Sequence, residues 1–134
     1  MPIIHLGLGS NLGDRAKNIR SAVDGLSQNG IIPVQLSSII ETAPVGGPEQ
    51  GLFLNAVLQA ETQLTPLELL TMIQTTEFKL GRIRTVKNGP RTIDIDILLY
   101  DGVSMNTPEL TIPHPRMSER DFVMAPLREL ACRP

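Results

Sequence analysis

Residues 93–100 repeat with a period of two: Ile93, Ile95, Ile97 and Leu99 alternate with Asp94, Asp96, Leu98 and Tyr100. That is the pattern of a β-strand with one fully apolar face. Asp94 and Asp96 then share the other face, with Cα atoms about 6.6–7 Å apart, two strand rises. Aspartate is depleted in strands and like charges on one face repel, so the pair needs a counter-charge. A divalent cation supplies one. Hard carboxylate oxygens suit Mg²⁺, and two carboxylates at this separation can hold a pair of ions about 3.5–4 Å apart, the spacing of two-metal phosphoryl chemistry. An isolated Asp-x-Asp more often decorates the wet face of a strand. Here Leu98 and Tyr100 continue the same face, and Gly89-Pro90-Arg91 puts a guanidinium immediately upstream. A polyphosphate held between Mg²⁺ and Arg requires that combination.

A chain of 134 residues supports one domain with a single core. A net charge of −2 and a pI of about 5.6 argue against a nucleic-acid surface built on bulk electrostatics. The local cluster Arg82, Arg84, Lys87 and Arg91 still suits a phosphorylated small molecule. The single cysteine, Cys132, excludes an intrachain disulfide framework and fits a reducing compartment. No stretch reaches the roughly 18 apolar residues of a spanning helix, and the start lacks a signal-peptide pattern, so a cytoplasmic protein without a membrane partner is expected.

Ile3 to Leu8 reads as a buried strand, followed by a tight turn through the glycines of Gly7-Leu8-Gly9-Ser10-Asn11-Leu12-Gly13-Asp14. The Lys and glycine spacing of a P-loop are absent. Asp14 caps a helix carrying Ile19, Ala22, Val23 and Leu26, which Asn29-Gly30 ends. Ile31 to Ile40 reads as a second strand, with Pro33 marking an edge or bulge. A Pro- and Gly-rich loop over residues 41–51 reads as a binding element or a plain connection. Phe53 to Glu61 is a third strand, with Phe53, Asn55 and Val57 on one face. Thr65-Pro66-Leu67-Glu68 is a capping box with Pro at the first helical position, and Gly81 closes that helix. Gln74 and Glu77, three residues apart on it, read by themselves as a solvated polar pair. Past Asp101-Gly102, His114 stands between two prolines near Arg116 and Arg120, and Ser118 with Asp121 reads as a cap before a helix running through Phe122 to Leu130. The order β-α-β-β-α-β with short C-terminal helices predicts an α+β, ferredoxin-like sandwich, with helices on one face of a mainly antiparallel sheet.

The run Gly89-Pro90-Arg91-Thr92-Ile93-Asp94-Ile95-Asp96-Ile97-Leu98 resembles the signature of the 6-hydroxymethyl-7,8-dihydropterin pyrophosphokinases, enzymes of the folate pathway. Further matches follow in the same order along nearly the whole chain: Gly9-Ser10-Asn11-Leu12-Gly13-Asp14-Arg15, Glu41-Thr42-Ala43-Pro44, Phe53-Leu54-Asn55, Gln74 with Glu77, Gly81-Arg82-Ile83-Arg84, and Pro113-His114-Pro115 with Arg120 and Phe122. The resemblance implies transfer of the β,γ-diphosphate of ATP to the hydroxymethyl group of a dihydropterin, releasing AMP. It also implies that Asp94 and Asp96 hold two Mg²⁺ ions, and that Gln74, Glu77, Arg84, Arg91, Ile97, His114 and Arg120 line the nucleotide site. Arg82 and Arg91 would steady the moving diphosphate, which makes Arg82, Arg91, Asp94 and Asp96 the catalytic set. The pterin would lie between Phe53 and Phe122, with Thr42, Val45 and Asn55 at its polar edge. The corresponding domain spans 1–134, shorter at the C-terminus than many relatives, and is expected to be a monomer, with a homodimer left open.

Residue chemistry agrees. A flat heterocycle wants aromatic faces and a few fixed polar groups, while displacement at phosphorus wants charge neutralisation more than a protein nucleophile. An RNA-binding sheet would need exposed aromatics and a basic face, which Asp94 and Asp96 oppose. A nucleotide-sugar enzyme built on Asp-x-Asp would not need both Phe53 and Phe122.

Overall fold

Strand β1 (Ile3–Ser10) buries Ile4, Leu6 and Leu8 on one side and turns His5, Gly7 and Gly9 to the other. Gly7 and Gly9 therefore belong to a strand that runs on to Ser10, and the turn expected at Gly7 begins only after Asn11. In this computed structural model, residues 1–43, 50–81 and 92–132 are described. Helix α1 (Arg15–Ser27) starts where the Asp14 carboxylate accepts the Lys17 N–H at 3.2 Å, and it buries Ile19, Ala22 and Leu26. Gly30, at φ 83°, makes the left-handed turn into the next strand.

The expected strand from Ile31 to Ile40 is two strands, β2 (Ile31–Leu36) and β3 (Ile40–Thr42). Both pair antiparallel with β4 (Phe53–Thr62), β2 along Leu58–Thr62 and β3 along Phe53–Asn55. The break is a polar junction. The Ser37 N–H donates to the Val57 carbonyl at 2.9 Å, its hydroxyl accepts the Val57 N–H at 2.8 Å, and the Glu129 carboxylate accepts from the Ser38 N–H at 3.0 Å and from the Ser38 hydroxyl at 3.1 Å. A register shift between Pro33 and Gln35 leaves Val34 without a partner and exposed.

Helix α2 (Pro66–Lys79) has the full capping box: the Thr65 hydroxyl accepts the Glu68 N–H at 3.3 Å and the Glu68 carboxylate accepts the Thr65 N–H at 2.9 Å. Hydrogen bonds from the Thr65 N–H and the Thr65 hydroxyl hold the exposed Glu68 carboxyl below its ordinary range. Leu69 and Ile73 carry the buried stripe, and Leu80 is followed by Gly81 at φ 87°. Strand β5 (Asp94–Tyr100) closes a sheet of order β2-β4-β1-β5, with β3 on the outer edge of β4 and every pairing antiparallel. This is the ferredoxin-like arrangement expected from the element order.

One core fills the space between this sheet and α1 and α2, holding Ile4, Leu6, Leu8, Leu26, Ile31, Leu58, Ile73, Ile93, Ile95 and Ile97. Each fully buried aliphatic side chain contributes about 1.5–3 kcal/mol. The strict alternation expected across β5 stops at Leu98. The ladder with β1 shifts between His5 and Leu6, Leu98 is the extra residue, and Tyr100 turns into the helix-side core rather than continuing the Asp face. Its hydroxyl donates to the Leu64 carbonyl.

The helices do not all share one face. After the short β6 (Met105–Asn106) and β7 (Thr111–Ile112) pair and a 3-10 turn at Met117–Glu119, α3 (Asp121–Cys132) packs Val123 and Leu130 against Val57 and Leu98 on the opposite side of the sheet. Ser118 lies within the 3-10 turn instead of capping α3. Among the described residues no helix is long and apolar enough to cross a membrane.

Candidate active site

On the face that α3 covers only in part, the sheet floors a cavity of about 270 Å³. Strand alternation decides what reaches it. β1 offers Gly7 and Gly9, β4 offers Phe53, Asn55 and Val57, and β5 offers Asp94, Asp96 and the bulged Leu98. Thr42 and Ala43 close one side, and His114, Arg120, Phe122 and Val123 the other.

The two aspartates face no side chains across the ladder, because Asp94 pairs with Gly9 and Asp96 with Gly7. A β-carbon on Gly9 would lie 2.9 Å from Asn55 Oδ1 and 3.5 Å from the Phe53 ring. The missing side chain is thus the space into which Asn55 and Phe53 fit. Asn55 is fixed at its other end, its Nδ2 donating to Thr42 Oγ1 at 2.5 Å. That leaves Asn55 Oδ1 as an acceptor and the Thr42 proton as a donor.

Two carboxylates on adjacent same-face positions of a rigid strand, with glycines opposite, are a fitting hard-oxygen donor set for Mg²⁺. Among the described residues, no group of three or more His, Cys, Asp or Glu is placed to hold a metal. A cation here would complete its shell with substrate oxygens and water, as Mg²⁺ usually does.

His114 is held to the open edge of β5, its backbone N–H donating to the Leu98 carbonyl at 3.0 Å. Burial lowers its pKa from the ordinary 6.5, the positive charge of Arg120 lowers it further, and Asp94 opposes both. Nδ1 accepts the Arg116 N–H at 3.4 Å, an arrangement that favours the tautomer with its proton on Nε2. The Arg120 guanidinium carbon stands 5.6 Å from the centroid of the Phe122 ring, within cation–π range.

Of the residues expected from the sequence, Thr42, Phe53, Asn55, Asp94, Asp96, His114, Arg120 and Phe122 all converge on the cavity. Gln74 is exposed on α2 and lies outside it. Glu77 is 5% exposed, not part of a solvated pair, and its carboxylate accepts the Ile95 N–H at 2.9 Å. It seals the edge of β5 that, among the described residues, no strand covers. The Ile97 side chain points into the helix-side core. Val45, Arg82, Arg84 and Arg91 lie outside the described residues. Sequence reasoning missed Gly7, Gly9 and Val123 as cavity residues. The alternation of Gly7 and Gly9 with Leu6 and Leu8 was the available signal.

The 7,8-dihydro-6-hydroxymethylpterin-pyrophosphokinase (HPPK) family matches residues 5–132 of the chain. A 2-amino-4-hydroxy-6-hydroxymethyldihydropteridine pyrophosphokinase of Bacillus subtilis is 49% identical over 129 residues, covering 96% of this chain and 77% of its own length. A protein of the same name in Methylorubrum extorquens is 44% identical over 128 residues, covering 95% of this chain and 81% of its own. Among solved structures, an HPPK-DHPS in complex with substrates superposes with a TM-score of 0.76 at 14% identity, over 96% of this chain and 40% of that one. The last likeness is one of fold.

Proposed function

The chain belongs to the 7,8-dihydro-6-hydroxymethylpterin-pyrophosphokinase family, and from that membership we propose how its cavity divides the work. The reaction is Mg²⁺-dependent transfer of diphosphate from ATP to hydroxymethyldihydropterin in folate biosynthesis. The substrate hydroxyl oxygen forms a bond to the β-phosphorus and releases its proton to solvent, the bond from that phosphorus to the α,β-bridging oxygen breaks, and AMP leaves with that oxygen. Such a displacement needs positioning and charge neutralisation rather than a covalent protein intermediate.

Asp94 and Asp96 hold the metal, two ions in our reading. The two carboxylates would keep such a cation beside the phosphate oxygens, where it would supply charge neutralisation. The pterin slides between Phe53 and Phe122, and its amide edge meets the Asn55 acceptor and the Thr42 donor. Val45 adds to that edge. His114 presents its Nε2–H to a nucleotide oxygen, and Arg120 offers its guanidinium fork to phosphate while resting on Phe122. Arg84 and Gln74 extend the nucleotide site, and Arg82 and Arg91 accompany the diphosphate as it moves.

Ile97 serves through its backbone. The Ile95 N–H is turned away from β1 towards Glu77, so the Ile97 N–H, two residues on, faces the same open edge, where a nucleotide base can accept it. Glu77 keeps that edge in shape. Pro33 and the bulge at Val34 blunt the other sheet edge, β2, which supports a monomer. The exposed free thiol of Cys132 supports a reducing compartment such as the cytoplasm.

The observation that carries the reading is the meeting, in one cavity, of an Asp pair backed by glycines with an aromatic pair and a fixed Thr–Asn couple. Incubation with ATP, Mg²⁺ and 6-hydroxymethyl-7,8-dihydropterin tests it. AMP and the diphosphorylated pterin are expected, and ADP as the nucleotide product overturns the reading.

A further inference from the structure

The β1–α1 connection grips the outer end of the β3–β4 hairpin, on which three of the pterin-facing residues stand. One nitrogen carries most of the grip. Arg15 Nη1 lies 2.9 Å from the Glu41 carboxylate and donates at 2.9 Å to the Leu52 carbonyl, so its two protons are divided between the strands. Glu41 immediately precedes Thr42, and Leu52 immediately precedes Phe53. Thr42 and Phe53 are ladder partners, and Asn55, two residues further on, is tied to Thr42.

The platform beneath is itself fixed. Asn18 donates to the Leu12 carbonyl at 2.9 Å and to the Ser10 hydroxyl at 3.2 Å, and the Asn11 side chain donates to Gln50 Oε1 at 2.7 Å and to the Gly51 carbonyl at 3.1 Å. The chain entering and the chain leaving the 44–49 segment are thus fastened to the β1–α1 connection and the start of α1, and Arg15 touches both.

We infer that Arg15 is a positioning residue for the pterin half of the site. It sets the spacing of Thr42 and Phe53 through Glu41 and Leu52, and it is not among the residues that line the cavity. A guanidinium suits the task because its planar fork directs two donors from one nitrogen. An exposed ion pair of this kind adds little to global stability, so its effect is expected in binding.

The inference rests on the pterin diphosphokinase reading, and the experiment separates the two. Wild type, Arg15→Ala, Glu41→Ala and Glu41→Gln are compared for AMP release with each substrate varied in turn. Calorimetry measures pterin affinity in the presence of Mg²⁺ and a non-hydrolysable ATP analogue. Arg15→Ala is expected to raise the pterin KM and the pterin Kd by about 3- to 10-fold, the cost of re-ordering the loosened hairpin end at each binding event, with the ATP KM unchanged. Glu41→Ala should follow it, while Glu41→Gln, which keeps an acceptor for Nη1, should stay near wild type. A fall in melting temperature with both KM values unchanged, or an equal rise in both, overturns the inference. Wild-type protein that releases no AMP overturns the functional reading instead.

Discussion

Replacing Gly9 with Ala should damage the pterin half of the site selectively, and the size of the effect follows from three distances. The new β-carbon would lie 2.9 Å from Asn55 Oδ1, 3.5 Å from Phe53 Cδ1 and 3.8 Å from the Leu54 carbonyl. Gly9 is within β1 and its φ is not positive, so the backbone accepts alanine and the conflict is steric alone. Asn55 must give way, but its Nδ2 is committed to Thr42. Rotating the amide to clear the methyl breaks that bond or turns Oδ1 away from the cavity. Overpacking of this kind costs about 1–3 kcal/mol, shared between fold stability and site geometry. Losing one well-placed hydrogen bond to the pterin costs about 1–1.5 kcal/mol, or roughly tenfold in affinity. The expected result is a pterin Kd raised about tenfold or more, with nucleotide analogue binding unchanged and a lowered urea midpoint. Gly7→Ala is the internal control, because its β-carbon would meet Leu98 methyls at 3.5–3.6 Å, ordinary contact. Calorimetry on both variants, each with and without Mg²⁺ and the ATP analogue, makes the comparison. Unchanged pterin binding in Gly9→Ala, or equal losses in the two variants, refutes the steric argument.

Asp94→Asn and Asp96→Asn should each lower diphosphate transfer by about 10²–10³-fold, since an amide is a poor Mg²⁺ ligand. A mutant that melts lower in EDTA yet keeps its transfer activity removes the metal from this strand. Glu77→Ala should cost about 1–3 kcal/mol in urea unfolding by stranding the Ile95 N–H, whereas Glu77→Gln keeps an acceptor there and should cost clearly less. The pKa of His114 is lower folded than unfolded, so the unfolded chain binds the proton first. Its contribution to stability is fully present above the unfolded value near 6.5 and is lost as pH falls through the lowered folded value. His5, also lowered by burial, acts in the same direction. Stability measured from pH 7.5 to 5 should therefore fall more steeply in wild type than in His114→Asn, and equal slopes would remove His114 from that account.

Local chemistry was legible where the partners were local. The Thr65–Glu68 box and the Asp14 cap lie within one turn of the groups they satisfy, and both helices begin where the sequence places them. The misreadings share a different cause. Ile31 to Ile40 looks continuous because the carboxylate that pins Ser38 belongs to Glu129, 91 residues away. The flip of Tyr100 into the core comes from a ladder shift opposite His5 and Leu6, and no alternation within residues 93–100 encodes it. α3 has an apolar stripe, but which sheet face takes it depends on the bulged Leu98 and on Val57.

In the site, visibility followed side-chain chemistry. Asp94 and Asp96 could be singled out because charge on a strand is conspicuous, Phe53 and Phe122 are paired by the family resemblance, and the cavity gathers all four. Glu77 was read as solvated because its partner is a backbone N–H on another element, a donor that every residue but proline carries and that no sequence pattern marks. Gly9 acts by having no side chain, and that absence gains meaning only when Asn55, from the neighbouring strand, occupies the space. The four residues that supply chemistry and the glycine that supplies room lie on the same sheet face or its α3 wall. A period-two reading of β1, β4 and β5 together predicts this, provided the strands are already known to be neighbours. Strand order is therefore the link that carries residue chemistry to a site, and here it rests on Ile4, Leu6 and Leu8 needing a helix-covered face, which leaves the glycine face of the same strand open to substrate.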